Sequence, residues 1–354
     1  MEGLNISVLY YEDRSEALAE RDEVVDQVAE ALKATGHFPT LLGIYDDLGE
    51  LIEKLKQQKP DLVFNLCETF AGRDSNEGHV TAVLALLGHR FTGTGPVGMA
   101  LRQDKAVTKK LLQFHDVRCP KFAIFDSDNL EFAGKMHFPM FIKPMRGDAS
   151  VGVEDSSLVR DYDHLVERIN YIQREVKDAA LVEEYIEGRE FYVGILGNDP
   201  PEALPVIELD FSKLPVGYPH IYGWQAKFEH TSVQYGAVNA IVATELSPEV
   251  RHRITIAALE AAYAVQVRDY VRVDMRLAPD GIPYVVEVNA NPYLERTSAF
   301  AIAALQAGMG YNTLINRIVQ IAWKCSQESG PQKGLACSLP LREELRKKLE
   351  EAKG

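Results

Sequence analysis

Four polar side chains interrupt two short apolar runs in the last third of the chain: Arg272 and Asp274 within residues 270–276, and Glu287 and Asn289 within residues 284–290. Asp280 and Gly281 lie between the runs and signal a turn. Side chains alternate across a strand, so Arg272 shares a face with Asp274, as Glu287 does with Asn289. Hard oxygen donors of this kind suit Mg2+, which is usually held by one or two carboxylates together with substrate phosphates. A guanidinium beside them is placed to meet a phosphate or an oxyanion. The same pattern also describes a half-exposed hairpin with a polar outer face.

A second group follows a predicted strand over 140–143, which delivers Lys143 to its end and runs into a loop containing Gly147, Ser150 and Gly152. Glycines permit the backbone turns by which successive N–H groups face an anion, and a lysine adds a point charge. That is phosphate-cradling chemistry, although an ordinary hairpin turn has the same composition. Neither the Walker pattern nor a helix opened by Gly-x-Gly-x-x-Gly is present. A third group, Glu183, Glu184, Ile186 and Glu190, lies where an apolar strand becomes acidic. Its backbone and carboxylates could pair with an adenine edge and with ribose hydroxyls, or could form a solvated strand end.

These groups need a scaffold. Residues 4–10 read as a buried strand, 20–35 as an amphipathic helix stopping at Gly36, 41–44 as a strand, 48–59 as a helix ending before Pro60, and 62–65 as a strand. That alternation predicts an open, doubly wound parallel sheet over about the first 100 residues. Thr92 to Pro96 reads as its exit loop. A helix over 99–115 then leads to strands over 121–125, 140–143 and 180–184 with a helix over 161–175, and a strand-rich third region with a helix over 248–265. The expected division is 1–98, 99–188, 189–325 and a charged tail, 326–354, whose residues 341–352 read as a surface helix.

With 354 residues and a formal net charge of -14, the chain can build more than one core but lacks the basic footprint that nucleic-acid binding needs. Cys67, Cys119, Cys325 and Cys337 show no Cys-x-x-Cys spacing and are expected as reduced thiols in a cytoplasmic protein. No leader and no bilayer-length apolar run is visible, so no membrane partner is expected.

The order of the pieces carries a resemblance. Asp104-Lys105, Lys143 with its loop, Glu183 to Glu190, Lys227, Arg272 with Asp274, and Glu287 to Pro292 together resemble the ATP-grasp superfamily. Within it the chain is most similar to the D-alanine–D-alanine ligases, through residues 88–94, 104–109, 188–191 and 222–227 as well. The resemblance covers roughly 60–325 and implies an α/β fold of three regions, an ATP-grasp architecture behind an N-terminal doubly wound domain, with ATP between the second and third regions.

It also implies roles. Lys105, Lys143 and Lys227 match the groups on the ATP phosphates, with Ser150 in the loop that closes over them. Glu183 and the backbone of Glu184 to Ile186 match the adenine site, and Glu190 the ribose partner. Asp274, Glu287 and Asn289 match the Mg2+ ligands, for one or two ions with Mn2+ as a substitute. Arg272 matches the residue that steadies an acyl phosphate, and Ser298 the partner of the second substrate's carboxylate. Glu20, Glu68 and Asn291 are candidates for substrate contacts.

Several positions depart from the family's pattern. Ala149 and Phe228 replace a serine and a tyrosine, Tyr293 and Leu294 follow Pro292 where a glycine is usual, and residues 65–70 replace a histidine-glycine segment. The ATP machinery is thus expected intact beside a rebuilt first-substrate site. The implied function is an ADP-forming ligase joining a small-molecule carboxylate to an amine through an acyl phosphate, with a homodimer compatible with it. The alternatives are a specific D-alanine–D-alanine ligase and a non-catalytic ATP-binding regulator.

Overall fold

The computed structural model describes residues 3–14, 21–126, 136–147 and 150–325 in full, and 130–132 and 326–329 by backbone alone. The chain starts with β1 (Asn5–Tyr11), α1 (Glu23–Ala34), β2 (Phe38–Ile44), α2 (Leu48–Gln58) and β3 (Leu62–Leu66). Asp22 caps α1 by accepting from Val24 N, and Asp47 caps α2 by accepting from Gly49 N. The second helix stops at Lys59, in the left-handed region at φ 47, because a residue before proline disfavours the α conformation.

The three strands pair in parallel in the order β2-β1-β3. Alternation divides β1 between two cores: Ile6, Val8 and Tyr10 pack with α1, and Leu9 packs with Leu51 and Leu55 of α2. Both faces are therefore covered, as expected of a doubly wound sheet. After α3 (Glu77–Leu86), α4 (Pro96–Gln103) and α5 (Lys105–Phe114) stand where one helix over 99–115 was expected. The break is at Asp104, which takes an extended conformation and caps α5 by accepting from Ala106 N and Val107 N. Lys105 is thereby the first residue of a helix and not part of a helix interior.

The second sheet comprises β4 (Phe122–Phe125), β5 (Leu130–Phe132), β6 (Met140–Pro144), β7 (Leu158–Val159) and, after α6 (Tyr162–Tyr171), β8 (Ala180–Glu184). It is antiparallel, in the order β5-β4-β8-β6-β7. A third, antiparallel sheet is formed by β9 (Arg189–Leu196), β10 (Glu202–Ala203), β11 (Ile207–Asp210), β12 (Asn239–Val242), β13 (Tyr270–Leu277) and β14 (Pro283–Ala290). Its order is β12-β11-β9-β13-β14, with β10 paired to β9. The short α7 (Trp224–Phe228) precedes β12, and α8 (Pro248–Ala264) follows it. Buried Ile254, Ala258, Ala261 and Ala262 of α8 pack against Val271, Val273 and Val288 of the sheet.

The final elements are α9 (Ala299–Gln306) and α10 (Tyr311–Ser329), and α10 packs on α1 through Leu314, Ile318 and Val28. The helix expected over 341–352 lies outside the described residues. Cys67 and Cys119 are free thiols, whereas Cys325 is disulfide-bonded, which corrects the expectation that all cysteines are reduced. Sequence spacing does not reveal which chain segments pack together. No helix among the described residues is long and apolar enough to cross a membrane.

Candidate active site

A cleft of about 690 Å³ opens between the second and third sheets. Lys105, Lys143, Ser150, Glu183, Glu184, Ile186, Glu190, Lys227, Arg272, Asp274, Glu287, Asn289, Asn291 and Glu68 all line it. They come from separate elements: Lys105 from the start of α5, Lys143 from β6, Glu183 and Glu184 from β8, Glu190 from β9, Lys227 from α7, and Arg272, Asp274, Glu287 and Asn289 from β13 and β14, while Glu68, Ser150, Ile186 and Asn291 stand in the connections between elements.

Strand pairing brings the acidic end together. β13 and β14 pair antiparallel with Arg272 opposite Asn289 and Asp274 opposite Glu287, and the register shifts between Asp274 and Met275. Arg272 donates to both oxygens of Asp274, Nε at 2.7 Å and Nη2 at 2.9 Å, and Asn289 Nδ2 donates to Asp274 Oδ2 at 2.9 Å. Arg272 also lies over the Tyr192 ring, 4.5 Å from its centroid. Burial pushes the Asp274 carboxyl above the usual carboxylate range, against the pull of Arg272 and with the help of Glu287.

That facing pair of carboxylates is the kind of charge excess a divalent cation relieves. Asp274, Glu287 and the Asn289 amide oxygen provide hard oxygen donors, which fits Mg2+. Among the described residues no group of three or more His, Cys, Asp or Glu side chains could hold a metal ion, so these residues form no closed cage. An ion sharing its coordination with phosphates needs none.

The cationic side is built around the loop after β6. Lys105 Nζ hydrogen-bonds the Gly147 carbonyl and sits 3.3 Å from Glu287 Oε1. Lys227 Nζ donates to Ser150 Oγ at 2.7 Å, and Trp224 N donates to Val153 O at 2.9 Å. Gly223 is needed at this approach, since a Cβ there would stand 2.8 Å from the Val153 carbonyl oxygen. Burial, joined by Arg272, holds the Lys227 ammonium below its ordinary pKa despite Glu287, Asp274 and Glu190.

Glu183 has a different setting from the one expected for an adenine partner. It is 2% exposed, with Lys109 Nζ 2.7 Å from Oε1 and Lys143 Nζ 3.4 Å from Oε2. Burial alone would raise its pKa, but the two lysines outweigh that and lower it. For Lys143, burial opposes the charge, and Glu183, Glu287 and Asp274 together push its pKa up. Glu183 therefore anchors Lys143. Along the neighbouring backbone, Glu184 N donates to Lys121 O at 2.9 Å and Tyr185 N to Pro139 O at 3.0 Å. Those two N–H groups are already used, which narrows the backbone face expected to meet adenine.

Lys109 and Arg276 lie in the segments 104–109 and 270–276, whose sequence assigns neither of them a role. Lys109 lies four residues beyond Lys105 on one helix, a spacing that puts the two on one face. Arg276 is two residues beyond Asp274 on the same strand face, and it donates to Ile186 O at 2.6 Å, Gly188 O at 2.9 Å and Glu190 Oε2 at 2.8 Å. It ties the start of β9 to the connection after β8. Burial raises the Glu190 carboxyl in spite of Arg276.

The remaining expected positions differ. Asn291 adopts φ 52 and its Oδ1 accepts from Thr94 N at 2.8 Å, which fixes the exit loop to the end of β14. Gly93 is required beneath it, because a Cβ at Gly93 would fall 2.1 Å from that oxygen. Ser298 caps α9, accepting from Ala301 N at 3.3 Å, and is not among the described residues that line the cleft. Glu20 lies outside the described residues. Tyr293, which breaks the family's pattern, lines the cleft and donates to Asp22 Oδ1 at 2.7 Å.

Comparison with known proteins agrees with this geometry. Residues 112–320 match the family model described as D-ala D-ala ligase C-terminus. The uncharacterized protein y4sG of Sinorhizobium fredii is 34% identical over 306 residues, covering 84% of this chain and 87% of that one. A D-alanine–D-alanine ligase of Pelotomaculum thermopropionicum is 27% identical over 308 residues, covering 84% and 90%. The crystal structure of the D-alanine–D-alanine ligase from Bacillus anthracis complexed with ATP superposes with a TM-score of 0.71 at 24% identity, covering 92% of this chain and 99% of that one. With more than half of its residues matched by the family model, and with this arrangement of three sheets, the chain belongs to the D-alanine–D-alanine ligase family of the ATP-grasp superfamily.

Proposed function

We infer that the protein is an ADP-forming ligase that activates the carboxylate of a small acid with ATP and transfers the acyl group to an amine. One observation carries the reading: Lys105, Lys143, Lys227 and Arg272 converge in one cleft with Asp274, Glu287 and Asn289. A phosphoryl group in flight carries charge on its oxygens, and little covalent chemistry falls to the protein. Positioned cations therefore account for most of the work.

In this reading the acid's carboxylate attacks the γ-phosphorus of ATP, the bond to the bridging oxygen breaks, and ADP leaves. The amine then attacks the acyl carbon and phosphate departs. Lys143, held by Glu183, and Lys105 and Lys227, held by the loop after β6, meet the phosphates. Arg272, with Nε and Nη2 donating to Asp274, would meet the oxyanion of the acyl phosphate through the rest of its guanidinium. Asp274, Glu287 and Asn289 would hold Mg2+, which neutralises phosphate charge when bound. Ser298, placed as a helix cap, is not assigned a role in the reaction. Such a use of ATP suits a cytoplasmic location.

A coupled measurement of ADP release across pairs of D- and L-amino acids, with mass spectrometry of the products, tests the reading. AMP in place of ADP, or turnover indifferent to every added acid, would overturn it. The narrower reading, a ligase of two D-alanines, is favoured by the name borne by the Pelotomaculum thermopropionicum relative. Turnover with D-alanine as sole amino acid would establish it.

A further inference from the structure

One arginine holds together the part of the cleft formed by Tyr185, Ile186 and Glu190. Arg276 of β13 stands directly opposite Glu190 of β9, and facing residues of paired strands put their side chains on one face. Its Nη1 donates to Glu190 Oε2 at 2.8 Å and to His220 O at 3.0 Å, Nε to Ile186 O at 2.6 Å, and Nη2 to Gly188 O at 2.9 Å. The guanidinium also lies over the Tyr185 ring, 4.6 Å from its centroid, and Tyr185 Oη donates to the same His220 carbonyl at 3.2 Å. Three stretches thus close on one side chain: the connection after β8, the start of β9 and the segment leading to α7.

Main-chain carbonyls alone would suffice to tie those stretches together. Glu190 is the one acceptor among the four that offers a side chain to the cleft. Its side chain keeps 16% of its surface exposed, against 8% for Arg276, so the carboxylate is held through Oε2 and still reachable. An ionised carboxylate only accepts, over two oxygens, and a charge-assisted bond from a planar fork fixes the direction in which it does so. A vicinal diol, with two donors side by side, is the complement of a carboxylate held in this way. The arrangement is the reverse of that at Lys143, where an anion, Glu183, fixes a cation.

We propose that Arg276 is a positioning residue that makes the cleft selective for ribonucleotides, by setting Glu190 to accept from both hydroxyls of the ribose. The proposal rests on the ligase reading above, with ATP in the cleft. A site built to receive a hydroxyl disfavours the analogue that lacks it, because the site's own polar group is then left unpaired. Lysine at this position is a poor substitute, since a point charge on a flexible stem does not reproduce the fork.

Binding of ATP, 2′-deoxy-ATP and 3′-deoxy-ATP to the whole protein with Mg2+, read by calorimetry, needs no knowledge of the acid or the amine. Wild type should bind ATP at least about tenfold tighter than either deoxy analogue, the worth of one hydrogen bond to a charged group. In Arg276→Met that ratio should fall close to unity, while any loss from a loosened connection falls on all three nucleotides alike. Glu190→Ala should give the same ratio, and the double variant no further change in it, because both residues act through one carboxylate. Arg276→Lys should keep only part of the ratio, and it carries the test should the methionine variant fail to fold. A full ratio surviving in either variant of Arg276, or equal binding of all three nucleotides by wild type, would overturn the assignment and leave the ligase reading standing. No binding of any nucleotide would overturn both.

Discussion

Lys109 Nζ and Glu183 Oε1 meet at 2.7 Å with both residues 2% exposed, an ion pair almost without solvent. Breaking a buried pair leaves a charge with nothing to offset its desolvation, and Lys143 at 3.4 Å compensates only in part. Lys109→Met should therefore destabilise the protein by up to about 3–5 kcal/mol in urea unfolding. Because the folded Glu183 pKa is lowered, its contribution is present above the unfolded value of about 4.3 and is lost as pH falls through the folded value. The gap between wild type and Lys109→Met should narrow on acidification below about pH 4. A gap independent of pH would contradict the assignment.

Glu287 faces Asp274 across the strand pair and Lys105 at 3.3 Å. Glu287→Gln keeps the shape and removes one charge from the proposed Mg2+ shell. ADP formation should be nearly abolished at low Mg2+, with the unfolding midpoint close to wild type. Wild-type turnover under those conditions would rule out the metal assignment.

Arg272 holds Asp274 through two hydrogen bonds and stands beside the site proposed for the acyl phosphate. Losing one donor to a developing oxyanion typically costs about 10²–10³ in kcat, and Arg272→Ala should lose at least that much in hydroxamate formation. Arg272→Lys should recover only part, because an ammonium replaces a planar fork with a point charge. Full recovery by lysine would show that charge alone matters.

Burial pushes the Cys67 thiol up to about 12, and its Sγ donates to Thr69 O at 3.1 Å. The thiolate is the reactive form, so iodoacetamide at pH 8.5 should leave Cys67 unmodified in the native protein and label it once urea unfolds the chain. Peptide mass spectrometry reads the site directly. Prompt native labelling would mean that the segment after β3 opens.

Local chemistry made much of this legible in the sequence. The alternation of apolar runs and helix stops around Gly36 and Pro60 depends on backbone preferences of neighbouring residues, and β1, β2, α2 and β3 lie close to where it places them. The polar positions of β13 and β14 were readable for the same reason, since period-2 alternation alone puts Arg272 with Asp274 and Glu287 with Asn289. Even the break at Asp104 had a local signal in its capping side chain.

What the tertiary structure decided are the pairings between distant segments. Glu183 and Lys109 are far apart in the chain, and only the packing of α5 against the second sheet lets Glu183, which lines the cleft, also hold Lys109 and Lys143. Arg276 could be counted on its strand, but its hold on Ile186, Gly188 and Glu190 needs β9 and β13 side by side. Tyr293 reaches Asp22 and Asn291 reaches Thr94 only because the end of β14 folds back onto the N-terminal sheet. A sequence states which groups can donate, accept or carry charge. Which group each one meets, and how much water remains between them, depends on long-range packing, and that decides whether a carboxylate binds a ligand or holds a lysine.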